Sequence, residues 1–185
     1  MSEIVEKTKH FVSELLTEEL DSRFLYHNLR HTQRVVKSTK ELLNYYNLNA
    51  VENERLLLAA WLHDVGHTKG WEDHEENSCA IARDFLGKKG YDSEGIEQVC
   101  SLIMVTKMCN EPSNLMEGII RDADISHFAQ KSYWETTDFL KEELKALGVA
   151  DYSAKEWRDK NIKMFRTKHH SVSYTHLRAH ETVLD

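Results

Sequence analysis

The sequence predicts an all-α protein, on three observations. Seven glycines and one proline in 185 residues make up about 4% of the chain, against roughly 12% in average composition, so the turn residues that hairpins and β-sandwiches consume are missing. No run of alternating or β-branched residues bounded by Gly or Pro supplies a strand. Apolar residues instead recur at helical spacings over most of the length. One buried core is expected, because domains usually run roughly 100 to 150 residues. The expected folded domain covers residues 1–168, with 169–185 as a tail.

Ile4, Phe11, Leu15, Leu16 and Leu20 mark a first helix over about residues 2–20. A second, over about 28–47, puts His31, Val35, Leu42 and Tyr46 on one face, widened by Val36 and Leu43. In the third, over about 51–65, the run Leu56-Leu57-Leu58-Ala59-Ala60-Trp61-Leu62 leaves no polar face, which predicts the central, buried helix. His63-Asp64-Val65-Gly66-His67 then turns abruptly polar. An apolar helix that ends in ionisable groups needs something to compensate them. Further helices are predicted over about 74–88, 93–107, 114–128 (after Pro112 and Ser113), 131–147 and 153–168, giving seven or eight in all.

The chain carries 24 Lys and Arg against 31 Asp and Glu, net -7, and collects no basic stripe, which disfavours nucleic-acid or membrane-surface binding by bulk charge. The longest apolar run, Leu56 to Leu62, is far short of the roughly 18 residues that suggest a bilayer span. The amphipathic start does not read as a signal peptide. Cys79, Cys100 and Cys109 form no CxxC pair, so free thiols in a reducing cytoplasm are expected. From about residue 171 the chain resembles translated sequencing-adaptor read-through, and residues 169–185 hold four of the eleven histidines.

Three stretches stand apart from packing: Tyr26-His27-Asn28-Leu29-Arg30-His31-Thr32, Trp61-Leu62-His63-Asp64-Val65-Gly66-His67, and Arg121-Asp122-Ala123-Asp124. Neighbours on a helix point about 100° apart, so His63 and Asp64 reach one centre only where the helix ends or bends. Gly66 is read as that ending. His31 adds an imidazole, and an aspartate of the third stretch closes the set. Two imidazoles and two carboxylates make a mixed N/O site suited to Mn²⁺, Fe²⁺, Mg²⁺, Co²⁺ or Zn²⁺, with positions open to water.

With His, His-Asp and Asp in this order, the chain resembles the HD-domain superfamily of metal-dependent phosphohydrolases over about residues 20–165. The resemblance implies that His31, His63, Asp64 and an aspartate of Asp122-Ala123-Asp124 bind the metal. The family pattern Ala-Asp-x-Leu favours Asp124, followed here by Ile125, with Asp122 as second choice. Tyr26-His27-Asn28 before His31, and His63-Asp64-Val65 before His67, also look like motifs of mammalian-type cyclic-nucleotide phosphodiesterases. That likeness implies His27 as the general acid, one helical turn from His31.

His67 is similar in position to residues that orient the attacking water in related hydrolases, a role it would share with Asp64. Thr106-Lys107 stands where two-metal relatives carry a histidine pair, which favours one divalent cation, although Asp64 could bridge to a second, water-rich ion. Arg30, Arg34 and Lys107 are candidate cations for the substrate phosphate. His74 either supports the site from behind its ligands or, as the preferred reading, is an exposed helix start. Trp61, Trp71, Trp134 and Trp157 all read as core, with a place in the cleft wall as the alternative for Trp71.

The resemblance implies hydrolysis of a phosphoester in a nucleotide or similar small phosphometabolite. Three alternatives stay open: a cyclic-nucleotide phosphodiesterase, a nucleotide-sensing module of a larger and membrane-attached protein, and a metal-free helical scaffold.

Overall fold

The computed structural model describes residues 2–129 and 132–167, and among these the chain forms eight α-helices and no strand. In order they are α1 (Glu3–Glu18), α2 (Leu29–Leu43), α3 (Ala50–Leu62), α4 (His74–Lys88), α5 (Ser93–Met104), α6 (Leu115–Asp124), α7 (Tyr133–Ala146) and α8 (Ala154–Thr167). Two short 3₁₀ turns, Val65–Lys69 and Ile125–Ala129, follow α3 and α6. The tail, 169–185, with the adaptor-like stretch from about residue 171, lies outside the described residues.

Side-chain caps fix several helix starts. Asn28 accepts from the N–H groups of Arg30 and His31, and Asp92 and Asn114 cap α5 and α6 in the same way. Asn49 and Glu52 form a reciprocal capping box at α3. Each cap contributes about 1 kcal/mol by satisfying N–H groups that have no helical partner.

Helix α3 is the central element, packed against α1, α2, α5 and α6. Leu56, Leu58, Ala59, Ala60 and Leu62 are completely buried, and each leucine contributes roughly 1.5–3 kcal/mol through burial. The helix ends earlier than the sequence predicts. His63 is its C-cap, and the backbone leaves helical geometry at Asp64 (φ -110°, ψ 3°) before entering the 3₁₀ turn. This departure allows neighbouring His63 and Asp64 to face one point.

Gly66 has a different role from the expected helix stop. A Cβ at this position would lie 2.0 Å from the His74 carbonyl oxygen and 2.7 Å from the Ser78 nitrogen. Only glycine lets α4 approach the 3₁₀ turn so closely. Ser78 completes the junction, its hydroxyl accepting from Gly66 N–H (2.8 Å) and donating to the His63 carbonyl (2.6 Å).

Helices α7 and α8 are joined through Asn161, whose Oδ1 accepts from the hydroxyls of Tyr133 and Thr137. Trp134, expected in the core, is instead 49% exposed on α7, while Trp61 and Trp157 are buried. Cys79 and Cys100 are buried free thiols and Cys109 is exposed. No helix among the described residues is long and apolar enough to cross a membrane.

Candidate metal centre

The four-residue set converges. His31 Nε2 lies 3.3 Å from His63 Nε2, 3.2 Å from Asp64 Oδ2 and 3.0 Å from Asp124 Oδ1. His63 Nε2 lies 3.2 Å from Asp64 Oδ2 and 3.6 Å from Asp124 Oδ1. Donors at about 2.1 Å from one ion stand roughly 3.0 Å apart at a right angle and roughly 3.4 Å apart at the tetrahedral angle. The observed spacings therefore suit a shared divalent cation.

The chemistry of the donors agrees. Asp64 Oδ2 is buried between two imidazoles yet makes no hydrogen bond of acceptable geometry among the described residues. Buried carboxylate oxygens are normally satisfied. His63 holds its Nδ1 3.0 Å from the Ala60 carbonyl, which fixes the proton on Nδ1 and turns the Nε2 lone pair to the centre, as in metal-ligating histidines. Burial works against charge in the cluster, but His63 and His31 beside the two aspartates hold Asp64 and Asp124 well below the usual carboxylate range. Both aspartates are thus ready as anionic donors.

Asp124, at the end of α6, is the aspartate that meets both imidazoles. Asp122 is buried elsewhere on α6 and bears on Tyr46. His31 is more constrained than its spacing suggests, because Arg34 Nη2 lies 2.9 Å from its Nδ1. A guanidinium only donates, so His31 here carries its proton on Nε2, toward Asp124. Ligation through Nε2 requires the other tautomer and release of Nδ1 by Arg34.

A cleft of about 500 Å³ opens beside the centre, bounded by Asp64, Asp124, His27 and His74 at one end and by α7 and α8 at the other. His27 sits on its wall. Its Nδ1 is 2.5 Å from Glu143 Oε1, while Glu143 Oε2 accepts from the backbone N–H groups of Tyr26 (2.7 Å) and His27 (2.9 Å). Burial opposes protonation of His27, but this carboxylate, with Asp64 and Asp124 nearby, raises its pKa above the ordinary imidazole value.

His67 is 1% exposed, and neither ring nitrogen has a hydrogen-bond partner among the described residues. Burial and the neighbouring His27 depress its pKa to about 2, so it is neutral. His74, expected at an exposed helix start, is half-buried in the cleft wall, stacked on His67 at 3.9 Å with its Nε2 3.8 Å from Asp64 Oδ1.

The three expected phosphate-binding cations do not line the cleft. Arg34 is turned onto His31 and the Tyr26 ring, Arg30 is exposed at the start of α2, and Lys107 pairs with Glu76 at 2.6 Å. Lys160 of α8 lies on the cleft instead. Trp71 lines it, the alternative to its core reading, together with Phe128, Tyr152 and Trp157.

Sequence reasoning missed two residues. Glu143 is completely buried although it belongs to a charged helix, and its only sequence signal is its place on the face shared by Tyr133 and Thr137. His127 is buried with Nδ1 3.2 Å from the Tyr26 hydroxyl. It stands one helical turn past Asp124, a spacing that could have flagged it.

An all-helical domain that gathers histidines and aspartates where a divalent cation could be held defines a class, and the comparisons name it. The HD domain family model matches residues 28–129, and the chain belongs to that family. HD domains bind divalent metals. The fold is also similar to the crystal structure of a predicted HD superfamily hydrolase from an uncultured Thermotogales bacterium, with a TM-score of 0.58 and 20% sequence identity over 87% of this chain and 88% of the other. No curated protein matches the chain in sequence.

Proposed function

We propose that the protein is a metal-dependent phosphohydrolase acting on a phosphoester in a nucleotide or similar small phosphometabolite. The observation that carries this reading is the meeting of His31 and His63, their Nε2 atoms 3.3 Å apart, with Asp64 and Asp124, each of which has an oxygen 3.0–3.6 Å from both imidazole nitrogens and lines the adjoining cleft. A divalent cation held there supplies a water of lowered pKa and neutralises charge on phosphate oxygens.

The chain's own residues do the rest. Asp64 on the cleft wall, and His67 stacked on the cleft-lining His74, would orient that water toward phosphorus. His27, whose protonated form Glu143 favours, would deliver a proton to the leaving oxygen from the ring nitrogen that Glu143 does not engage. Glu143 acts through His27, holding both the ring and the adjoining backbone in place. Trp71, Phe128, Tyr152 and Trp157 offer apolar faces on which a planar base stacks. Lys160 supplies positive charge on that side.

The pairing of His27 with Glu143 favours a substrate whose leaving oxygen needs protonation, which keeps cyclic-nucleotide diester hydrolysis as a second reading. An assay of 3′- and 5′-mononucleotides, cyclic nucleotides and guanosine tetraphosphate with Mn²⁺, run beside His63→Ala, tests both. The expected result is turnover of at least one class by the parent protein and none by the variant. Metal binding without turnover of any class would contradict catalysis and favour a sensing module.

A further inference from the structure

Helices α4 and α5 pack closely on each other. Cys79 faces Cys100 and, one turn further along α4, Arg83 pairs with Glu97 at 2.7 Å, so the two helices run as an antiparallel hairpin. Both thiols are buried and free. Cys79 Sγ reaches the Cys100 carbonyl at 3.5 Å, and Cys100 Sγ reaches the Cys79 carbonyl at 3.7 Å. We infer that Cys79 and Cys100 are a thiol-oxidation site, which a hydroperoxide converts to an intrachain disulfide between α4 and α5.

Three observations support it. The crossed contacts set each sulfur beside the other residue's backbone, so the two side chains overlap, and rotation about χ1 brings the sulfurs toward the roughly 2.05 Å of a disulfide. The thiols also act on each other. Contact with the Cys79 thiol, helped by the positive charge of Arg83, lowers the Cys100 pKa against the effect of burial, while the same contact and burial push Cys79 up. Cys100 is thus the sulfur that ionises first, and the thiolate is the nucleophile in thiol chemistry. Finally, the exposed side chains of Glu76, Arg83 and Glu97 are near enough to act on the pair electrostatically, which places it just beneath the surface. A molecule as small as a peroxide reaches it through local opening of the hairpin.

The Cys100 thiolate attacks the peroxide: an S–O bond forms, the O–O bond breaks, and the departing oxygen takes up the proton that Cys100 released. The Cys79 sulfur then attacks the resulting sulfenic acid. The S–S bond forms, the S–O bond breaks, and hydroxide leaves with the Cys79 proton as water. Together the two thiols lose two electrons and two protons, and hydrogen peroxide is reduced to two waters. The crosslink joins residues 21 apart, which restrains the unfolded chain and stabilises the hairpin. Cys79 directly follows Ser78, whose hydroxyl ties Gly66 to the His63 carbonyl. The disulfide therefore also anchors the helix that backs His63 and Asp64.

Hydrogen peroxide added to the reduced full chain, followed by unfolding, alkylation with N-ethylmaleimide and peptide mapping without reductant, tests the site. The expected result is a peptide linking Cys79 to Cys100 within one chain, with Cys109 outside the linkage and full reversal by dithiothreitol. Alkylation of all three cysteines, a linkage through Cys109, or Cys100 carried on to sulfinic acid with no crosslink would overturn the inference. Cys109→Ser is expected to keep the crosslink and Cys100→Ala to lose it. Should Cys100→Ala fail to fold, the map of the parent protein and of Cys109→Ser decides by itself. Thermal unfolding reads the consequence: oxidation raises the midpoint by several degrees in the parent protein and in Cys109→Ser. An unchanged or lowered midpoint would overturn the stabilising effect and leave the modification standing.

Discussion

The two walls of the cleft have different origins. One wall, built by α2, the end of α3 and the end of α6, carries the proposed cation donors and falls inside the stretch that matches the HD domain family, residues 28–129. The other is built by α7 and α8, outside that match, and carries Glu143, Tyr152, Trp157 and Lys160. Metal chemistry depends on a few donors a few ångströms apart, which short motifs at helix ends can specify. Substrate choice depends on shape and on groups brought in from distant helices. On the proposed reading, the shared wall defines the class of reaction, and the second wall defines what is bound and how the leaving group is handled.

Substitutions can break this comparison. The largest effect belongs to the donor wall: His63→Ala or Asp64→Asn removes a cation donor and lowers kcat/KM by about 10³-fold or more, measured beside metal content. Retention of more than a tenth of the activity would detach catalysis from the centre.

The second wall acts next. Glu143→Gln removes the charge that holds His27 protonated and lowers kcat by about 10²-fold, with metal content unchanged. The sign of the pH effect follows from the raised His27 pKa. The acid works below that pKa, so losing the carboxylate moves the alkaline limb of the kcat profile to lower pH. A substrate with a good leaving group, such as a 4-nitrophenyl ester, recovers most of the lost rate, which a merely structural defect would not allow.

Trp71→Ala is smaller, raising KM about 5- to 10-fold for base-bearing substrates through lost stacking, with kcat nearly constant. A matching rise for inorganic or alkyl phosphates would deny the base-stacking role. Ser78→Ala touches the junction behind the centre. Its hydroxyl bonds to both Gly66 and His63, and the loss costs about 1–3 kcal/mol, read as a lowered midpoint in thermal or urea unfolding with the cation donors still in place.

The eight helices were legible because apolar periodicity and the Asn and Asp caps act locally. The gathering of His31, His63, Asp64 and Asp124 was legible because all four sit near helix ends, where short sequences determine direction. The early end of α3 was not, since the departure at Asp64 accommodates α4 through Gly66 and Ser78, twelve residues apart. Glu143 and His27 are 116 residues apart, and only the docking of α7 brings them together. Arg34 and Lys107 misled for a related reason: each found a local partner, His31 and Glu76, that spacing alone does not reveal.

The most direct test of the shared centre is an anomalous difference map from crystals soaked in Mn²⁺ alone. A strong peak within bonding distance of His31 Nε2, His63 Nε2, Asp64 and Asp124, with Arg34 withdrawn from His31 Nδ1, is the predicted result. A map with no peak among these four side chains, or one that places the ion on Asp122, would contradict it.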